Sequence, residues 1–427
     1  MVAGGPGEGA GTHPRLFFGW RVIAGLFVMN MITSGFGFYA QGPFLRDLRE
    51  RNGFSTGVAG IATALFFASS GVAGYVIARL IQRVDVRRVM LAGGIWGAAM
   101  LALFGQVRAE WQVFAVNILF GIGFAMCGLV PANTVATRWF VRRRSVAISV
   151  SATGLSLGGI VITRQVAVVV SERGLAATTP WFALIWLIAV TLVAVFVVKP
   201  SPQSMGLQPD GDPGPPPGST SSELPGMRFV EARASRFFRL VTVCYVFLMM
   251  SQVGALAHQT SFGTDAVNTD LGNLAVSLTA GASVVGRLIG GLVVTRMSSR
   301  TFTALLIFVQ GAALGLLAQA DTAVSFALAS LVLGLSVGNL LMLHPLLLAE
   351  AYGVREYPRI YGLSNLFMTL GVSLGPAVLG LVHDAADYPA AFTLMGMASG
   401  VALVLFLLAG PVEQKVTVTP QGVLSLD

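Results

Sequence analysis

The chain has 427 residues, of which 55% are hydrophobic and 11% are charged, and its mean hydropathy is +0.76. This composition excludes an ordinary soluble globular domain and predicts a polytopic membrane protein. The formal charge of +8 suggests a nucleic-acid partner at first sight, but the basic residues are distributed among short loops between apolar runs, which argues against one.

Twelve apolar runs are each long enough to cross a hydrocarbon core about 30 Å thick as a helix. The sequence therefore predicts an all-α membrane protein with twelve transmembrane helices, called spans 1 to 12 below. Cys127 and Cys244 fall within spans 4 and 7, and we expect no disulfide. The predicted spans lie approximately at residues 17–40, 56–80, 88–107, 111–137, 146–170, 179–198, 240–262, 273–295, 301–319, 322–349, 359–382 and 390–411.

One long loop, residues 199–239, divides the spans into two groups of six. It is rich in Pro, Gly and Ser, a composition typical of a flexible linker. The predicted organisation is an N-terminal tail, a first six-helix bundle, this linker, a second six-helix bundle and a C-terminal tail, with boundaries at 1–16, 17–198, 199–239, 240–411 and 412–427.

The distribution of Lys and Arg predicts the orientation. If the N-terminus is cytoplasmic, 20 of the 27 basic residues fall on the cytoplasmic side and five fall outside. The remaining two, Arg164 and Arg287, lie within spans. This positive-inside bias predicts an inner or plasma membrane protein with both termini and the linker in the cytoplasm.

Arg287 is the first candidate site residue, because it lies inside the apolar, glycine-rich span 8. Nine residues separate it from Arg296 at the end of that span, or roughly 13 Å along a helix, which places it near the membrane midplane. A charge at that depth is costly and usually marks a transport pathway. A guanidinium offers two parallel donors to a carboxylate. The alternative is an arginine that binds backbone carbonyls.

Four further groups of polar residues within the spans have open alternatives. Arg164, in the outer third of span 5, is either a second anion anchor or a residue that reaches the outer headgroups. His258, near the outer end of span 7, either couples transport to protons or bonds a neighbouring helix. His344 precedes Pro345 and favours a structural role. Residues that could line a cavity or bond between helices are Asn30, Tyr39, Asn117, Asn133, Gln259, Asn339 and Asn365.

Acidic residues are absent from the predicted centre of the membrane, because all 19 Asp and Glu can be placed in loops, tails or span ends. A carrier of cationic drugs normally needs such a charge, so an anion is the natural ligand of Arg287. The sequence has no metal-ligand cluster, phosphate-binding loop or nucleophile elbow. We therefore expect neither an enzyme nor a cofactor.

Two short basic segments repeat between the halves. Residues 78–88 connect spans 2 and 3, and residues 291–300 connect spans 8 and 9. Both resemble the cytoplasmic loop motif Gly-x-Leu-Ala-Asp-Arg-x-Gly-Arg-Arg of the major facilitator superfamily. The match is partial, since Ala78, Gln82, Asp85 and Thr295 depart from it. The basic positions of the two copies are Arg79, Arg83, Arg87, Arg88, Arg296 and Arg300.

A narrower resemblance covers most of the chain. The segment 131–145, followed by Gly154 and Gly158, is similar to the monocarboxylate transporter branch and its oxalate/formate antiporter relatives. The segments 257–265, 286–287, 361–362 and 374–376 fit the same branch. The resemblance implies the major facilitator fold and implies that the arginine of span 8, here Arg287, holds the substrate carboxylate.

Three departures from that branch limit what the resemblance implies. Animal proton-coupled members have an aspartate where this chain has Ser283 and a lysine near the place of Tyr39. The oxalate/formate exchangers have a lysine in span 11, roughly at Met368. The resemblance therefore implies neither the proton-coupling residue of the animal members nor the second anion-binding lysine of the oxalate/formate exchangers for this chain.

These observations predict a secondary active transporter of a small organic anion, a monocarboxylate, that works by alternating access. The coupling stays open between proton symport, exchange for a counter-anion and uniport. The direction of transport and the oligomeric state also stay open, and a monomer is compatible with the sequence. The expected partners are the substrate anion, a proton or counter-anion, and the lipid bilayer, with no nucleic acid. The alternatives are an exporter of uncharged or amphipathic compounds and a non-transporting membrane sensor.

Overall fold

The computed structural model describes residues 17–212, 226–266, 269–411, 416–418 and 424–426. It confirms the all-α membrane fold, and these residues include twelve helices long and apolar enough to cross a membrane. Two three-residue strands, Val416–Val418 and Leu424–Leu426, pair antiparallel near the C-terminus. Spans 1 to 12 are Phe18–Asn52, Gly57–Leu80, Val86–Phe104, Glu110–Trp139, Arg144–Arg173, Leu175–Val197, Arg236–Asp265, Leu274–Val293, Ser299–Ala318, Ala323–Tyr352, Tyr357–Ala385 and Tyr388–Ala409.

Several helices extend beyond the apolar runs that predicted them. Span 1 continues to Asn52 and span 5 to Arg173, because backbone hydrogen bonding does not stop where the side chains become polar. Side-chain caps fix other starts: Asp85 accepts a bond from the backbone N–H of Arg87 at 2.9 Å at the start of span 3. Such caps satisfy backbone donors that a helix leaves free.

The two halves repeat one packing device. In the first half, Gly154 and Gly158 of span 5 lie directly on the backbone of span 1 at Phe27 and Met31. In the second half, Gly371 and Gly375 of span 11 lie in the same way on span 7, at Val246 and Met250. Pairs of glycines four residues apart let helix backbones approach closely in a membrane. The repeated pairs therefore set corresponding helix contacts in the two bundles.

The halves meet on one face of the molecule, called the basic face because the segments 78–88 and 291–300 lie there. Span 5 packs on span 8, and span 2 packs on span 11. At the end of span 2, the Cβ of Ala78 lies directly on Gly362. The segment Thr163–Arg173 of span 5, toward the opposite face, packs against spans 1 and 6 of its own half.

The two ends of the linker are docked on the bundles. Near its start, Asp210 accepts bonds from the backbone N–H groups of Val141 and Arg142 at 2.9 and 2.8 Å. Near its end, the Met227 N–H donates to the Tyr352 carbonyl at 2.8 Å, and a short helix, Phe229–Ala234, follows. The predicted flexible loop is thus ordered over 199–212 and 226–235, while residues 213–225 lie outside the described residues. Span 7 begins four residues before the predicted boundary.

Candidate functional site

Arg287 is buried in span 8, with 3% of its surface exposed, and it bonds to both halves. Its Nε donates to the carbonyl of Gly338 in span 10 at 2.8 Å. Its Nη1 donates across the interface to the carbonyl of Ala152 in span 5 at 3.1 Å, and also to the Ser156 hydroxyl. The arginine therefore joins the bundles through its side chain, and two of its acceptors are backbone carbonyls, as the alternative interpretation of Arg287 expects.

The charge of Arg287 is not neutralised by these contacts. All the acceptors are neutral oxygens, and none of the ion pairs in the described part of the chain includes Arg287. Nη2 donates to no acceptor among the described residues. A buried, uncompensated cation costs several kcal/mol on an order-of-magnitude scale. The site therefore favours a ligand that supplies negative charge.

A ladder of small polar residues flanks this arginine along spans 5 and 8. Ser145 donates to the carbonyl of Gly291 at 3.2 Å, Ser149 donates to the carbonyl of Arg287, and Ser156 and Ser283 share a bond of 3.1 Å. We call these three bonds and the two from Arg287 to span 5 the cross-half ladder. Ser145, Ser149 and Ser156 were not among the predicted site residues, although their spacing of four and seven residues places them on one side of span 5.

Tyr39 lies against span 5 of its own half. It ends a π-helical segment of span 1, Ser34–Tyr39, and a Cβ added at Gly159 would come within 2.8 Å of its ring. Tyr39 interacts electrostatically with Arg287, and 39% of its surface is exposed. Tyr39 therefore stays a candidate for contact with the substrate.

Arg164 does not contact Arg287. It lies in the segment Thr163–Arg173, is exposed, and has no hydrogen-bond or ion-pair partner among the described residues. It follows Ser156 by eight residues, which places it roughly 12 Å farther along span 5 from the basic face.

Asn133 and Asn365 lie at contacts between the halves. Asn133 is buried, and its Nδ2 donates to the hydroxyl of Tyr361 in span 11 at 3.2 Å. Asn365 faces Gly74 of span 2, and its Oδ1 is buried without a hydrogen-bond partner. Asn133 thus closes the basic face, and Asn365 presents a free acceptor at the interface.

Gln259 and His258 bond within the second half. Gln259 Nε2 donates to the hydroxyls of Thr279 and Ser330 at 2.9 and 2.8 Å. His258 Nε2 lies 3.1 Å from the carbonyl of Pro376 in span 11. The structure therefore does not bring either residue to Arg287.

The arginines of the two loop segments differ in their contacts. Arg79 lies over the Tyr75 ring, with its Cζ 4.5 Å from the ring centroid, and Arg87 pairs with Asp85 at 2.7 Å. Burial raises the pKa of Asp85, but the bonds from Arg87 outweigh that effect, and the pKa is lowered. Arg300 donates to the Leu407 carbonyl at 3.5 Å. The remaining three, Arg83, Arg88 and Arg296, are exposed.

Among the described residues, no group of three or more His, Cys, Asp or Glu is placed to hold a metal ion. Among the described residues, the polar groups around Arg287 are hydroxyls, carbonyls and the Asn339 amide, whose Nδ2 donates to the Gly286 carbonyl at 2.8 Å. This arrangement can bind an anion by hydrogen bonding and charge.

Comparisons with known proteins agree with this architecture. The family model described as Major Facilitator Superfamily matches residues 26–338 and, overlapping them, 240–424. Monocarboxylate transporter 11 of Mus musculus is 24% identical over 393 residues, which cover 88% of this chain and 83% of that protein. The transporter FucP, solved in the outward conformation, superposes with a TM-score of 0.67 at 15% identity over 91% of this chain and 98% of that one. The human organic anion transporter MFSD10 superposes with a TM-score of 0.67 at 17% identity over 93% of this chain and 100% of that one.

Proposed function

Because the chain belongs to the major facilitator superfamily, we propose that it carries a small organic anion, a monocarboxylate, across the membrane by alternating access. The observation that carries the proposal is the uncompensated charge of Arg287, buried where the two halves meet. The names of two similar proteins, a monocarboxylate transporter and an organic anion transporter, support the same substrate class.

The proposed cycle begins from the arrangement described above. The cross-half bonds in the described part of the chain lie between Arg287 and the basic face, or one turn beyond Arg287 at Ser283. Arg and Lys gather on that face, which we assign to the cytoplasm by the positive-inside rule. The carrier is then closed to the cytoplasm, and the substrate enters from outside.

The carboxylate would bind first at Nη2 of Arg287 and then compete for Nη1. At Nη1 it meets two neutral acceptors, the Ala152 carbonyl and the Ser156 hydroxyl. Charge-assisted bonds are roughly twice as strong as neutral ones, so the exchange favours the substrate. Loss of the bonds from Nη1 to span 5 weakens the cross-half ladder and permits the basic face to open.

Arg164 and His258 have separate places in this proposal. Arg164 is our candidate for a second anchor that holds another carboxylate or a large acid, because it is exposed and has no partner among the described residues. Proton coupling through His258 gains no support from its contact with Pro376, which lies within one half. Coupling through the proton of the substrate and coupling by exchange both stay open in this proposal.

The test is uptake of a labelled monocarboxylate panel into proteoliposomes. Arg287→Ala removes the cation, and Arg287→Lys keeps the charge but removes the fork. We expect Arg287→Ala to reduce uptake at least 30-fold, since truncating one partner of a buried charged pair costs about 2–5 kcal/mol. Arg287→Lys should retain only part of the uptake of the unaltered protein. Arg173→Gln, at the outer end of span 5, is the control and should transport normally. Unchanged uptake in both Arg287 variants would instead favour an exporter of uncharged compounds.

A further inference from the structure

A second cluster of cations lies away from Arg287, at the start of span 7. Arg236 and Arg239 are three residues apart, so they lie on the same side of the helix. Both are exposed, and neither forms a hydrogen bond or ion pair with another described residue. Together with Leu240 and Leu408 they line an open cavity of about 340 Å³ between spans 7 and 12.

Arg236 and Arg239 have no acidic partner among the described residues, in contrast to two other arginines of the basic face. Arg87 pairs with Asp85 at 2.7 Å, and Arg359 pairs with Glu356 at 3.0 Å. A third cation, Arg300, binds the carbonyl of Leu407 at the same end of span 12. The cavity therefore has an unbalanced positive charge, which an anion would neutralise.

Exposed apolar side chains continue from the cavity toward the membrane centre. Leu408 is 51% exposed, and one turn deeper Val404 of span 12 and Val243 of span 7 are 56% and 44% exposed. Spans 7 and 12 pack against each other along this line. A ligand that fits the whole feature carries a negative head at the membrane surface and an apolar chain below it.

We propose that this cavity binds an anionic phospholipid. Its phosphate lies between Arg236 and Arg239, its acyl chains follow Val243 and Val404, and the positive end of the span 7 helix adds a favourable dipole. Basic pockets between transmembrane helices at this depth are typical of headgroup sites. The site is independent of Arg287 and of the transported substrate.

The test titrates phosphatidylglycerol into the purified full-length protein in neutral detergent and counts bound lipid by native mass spectrometry. We expect a saturable phosphatidylglycerol site that binds at least tenfold more weakly in Arg236→Gln/Arg239→Gln, since each arginine near an anionic lipid contributes about fivefold. The control is Arg228→Gln/Arg233→Gln, which makes the same charge change nearby but outside the cavity and should bind as the unaltered protein does.

Comparison ligands separate the alternatives. Phosphatidylcholine should not compete, and inorganic phosphate should not displace the lipid. Equal affinity for phosphatidylglycerol in both double variants would overturn the proposal, and so would displacement by inorganic phosphate alone. If Arg236→Gln/Arg239→Gln does not fold, a photoactivatable phosphatidylglycerol provides the second measurement on the unaltered protein. Labelling of peptides that contain Leu240 and Leu408 supports the site, and labelling confined to other helices contradicts it.

Discussion

The Nη1 atom of Arg287 lies 3.1 Å from the carbonyl oxygen of Ala152, although the two residues belong to different halves of the carrier. The residue proposed to bind the substrate is thus also part of the contact that closes the basic face. A carboxylate that takes this donor removes a closing bond in the same step. Binding and opening are thereby linked at one side chain.

Removing hydroxyls from the cross-half ladder should favour opening of the basic face. Each hydrogen bond contributes about 1 kcal/mol, so Ser149→Ala/Ser156→Ala should shift the equilibrium by roughly tenfold or more. The reporter is Ile160→Cys, because Ile160 is 44% exposed and follows Ser156 on the same side of span 5. We expect a several-fold slower reaction of this thiol with an impermeant maleimide added outside.

The design has internal controls. Ser171→Ala removes an exposed hydroxyl that bonds the Val168 carbonyl within span 5, and should leave the maleimide rate unchanged. The native thiols of Cys127 and Cys244 are buried, so they add little background. An equal maleimide rate at Ile160→Cys with and without Ser149→Ala/Ser156→Ala would show that these hydroxyls do not hold the basic face closed.

Gly291 tests the same interface by steric means. A Cβ at this position would lie 2.7 Å from the Cβ of Ser149, so Gly291→Ala must push span 8 away from span 5. We expect slower labelling of Ile160→Cys and reduced transport, with little loss of thermal stability because the clash lies between bundles. Gly281→Ala is the matched control, since nothing lies within 4 Å of its Cβ position. The same loss of transport in both variants would refute the steric explanation.

Asp85 should contribute a pH-dependent part of the stability. Its lowered pKa in the folded protein means that the contribution is present above the unfolded pKa, about 3.9, and is lost as the pH falls through the folded value. Asp85→Asn keeps a side-chain oxygen for the helix N-terminus but removes the charge that pairs with Arg87, so it should lower the stability at pH 7 by at most about 1 kcal/mol, and the difference should shrink at acidic pH. A constant difference across pH would contradict the role of the carboxylate charge.

The fold could be predicted from the sequence, because the membrane fixes the length and composition of each span. Helical rise gives the predicted depth of Arg287 in the membrane, which stays a prediction. Arg164 is exposed on span 5, which is compatible with its predicted position in the outer third of that span.

The contacts of the site could not be predicted, because they depend on how two bundles meet. Nothing in the spacing of Ser149 reveals that its hydroxyl donates to the carbonyl of Arg287. Gln259 and His258 illustrate the same limit, since a polar residue in a span can satisfy its bonds within its own bundle. Only the packing decides which side of each helix faces the centre.

The central claim is that Arg287 recognises negative charge in a substrate. Its most direct test measures the binding of one compound as the carboxylate and as the isosteric primary amide, by calorimetry on the purified protein, before and after Arg287→Gln. The account predicts saturable binding of the carboxylate, at least 30-fold weaker binding of the amide, and loss of that preference in the variant. Equal binding of the two compounds to the unaltered protein, or an undiminished preference in Arg287→Gln, would contradict it.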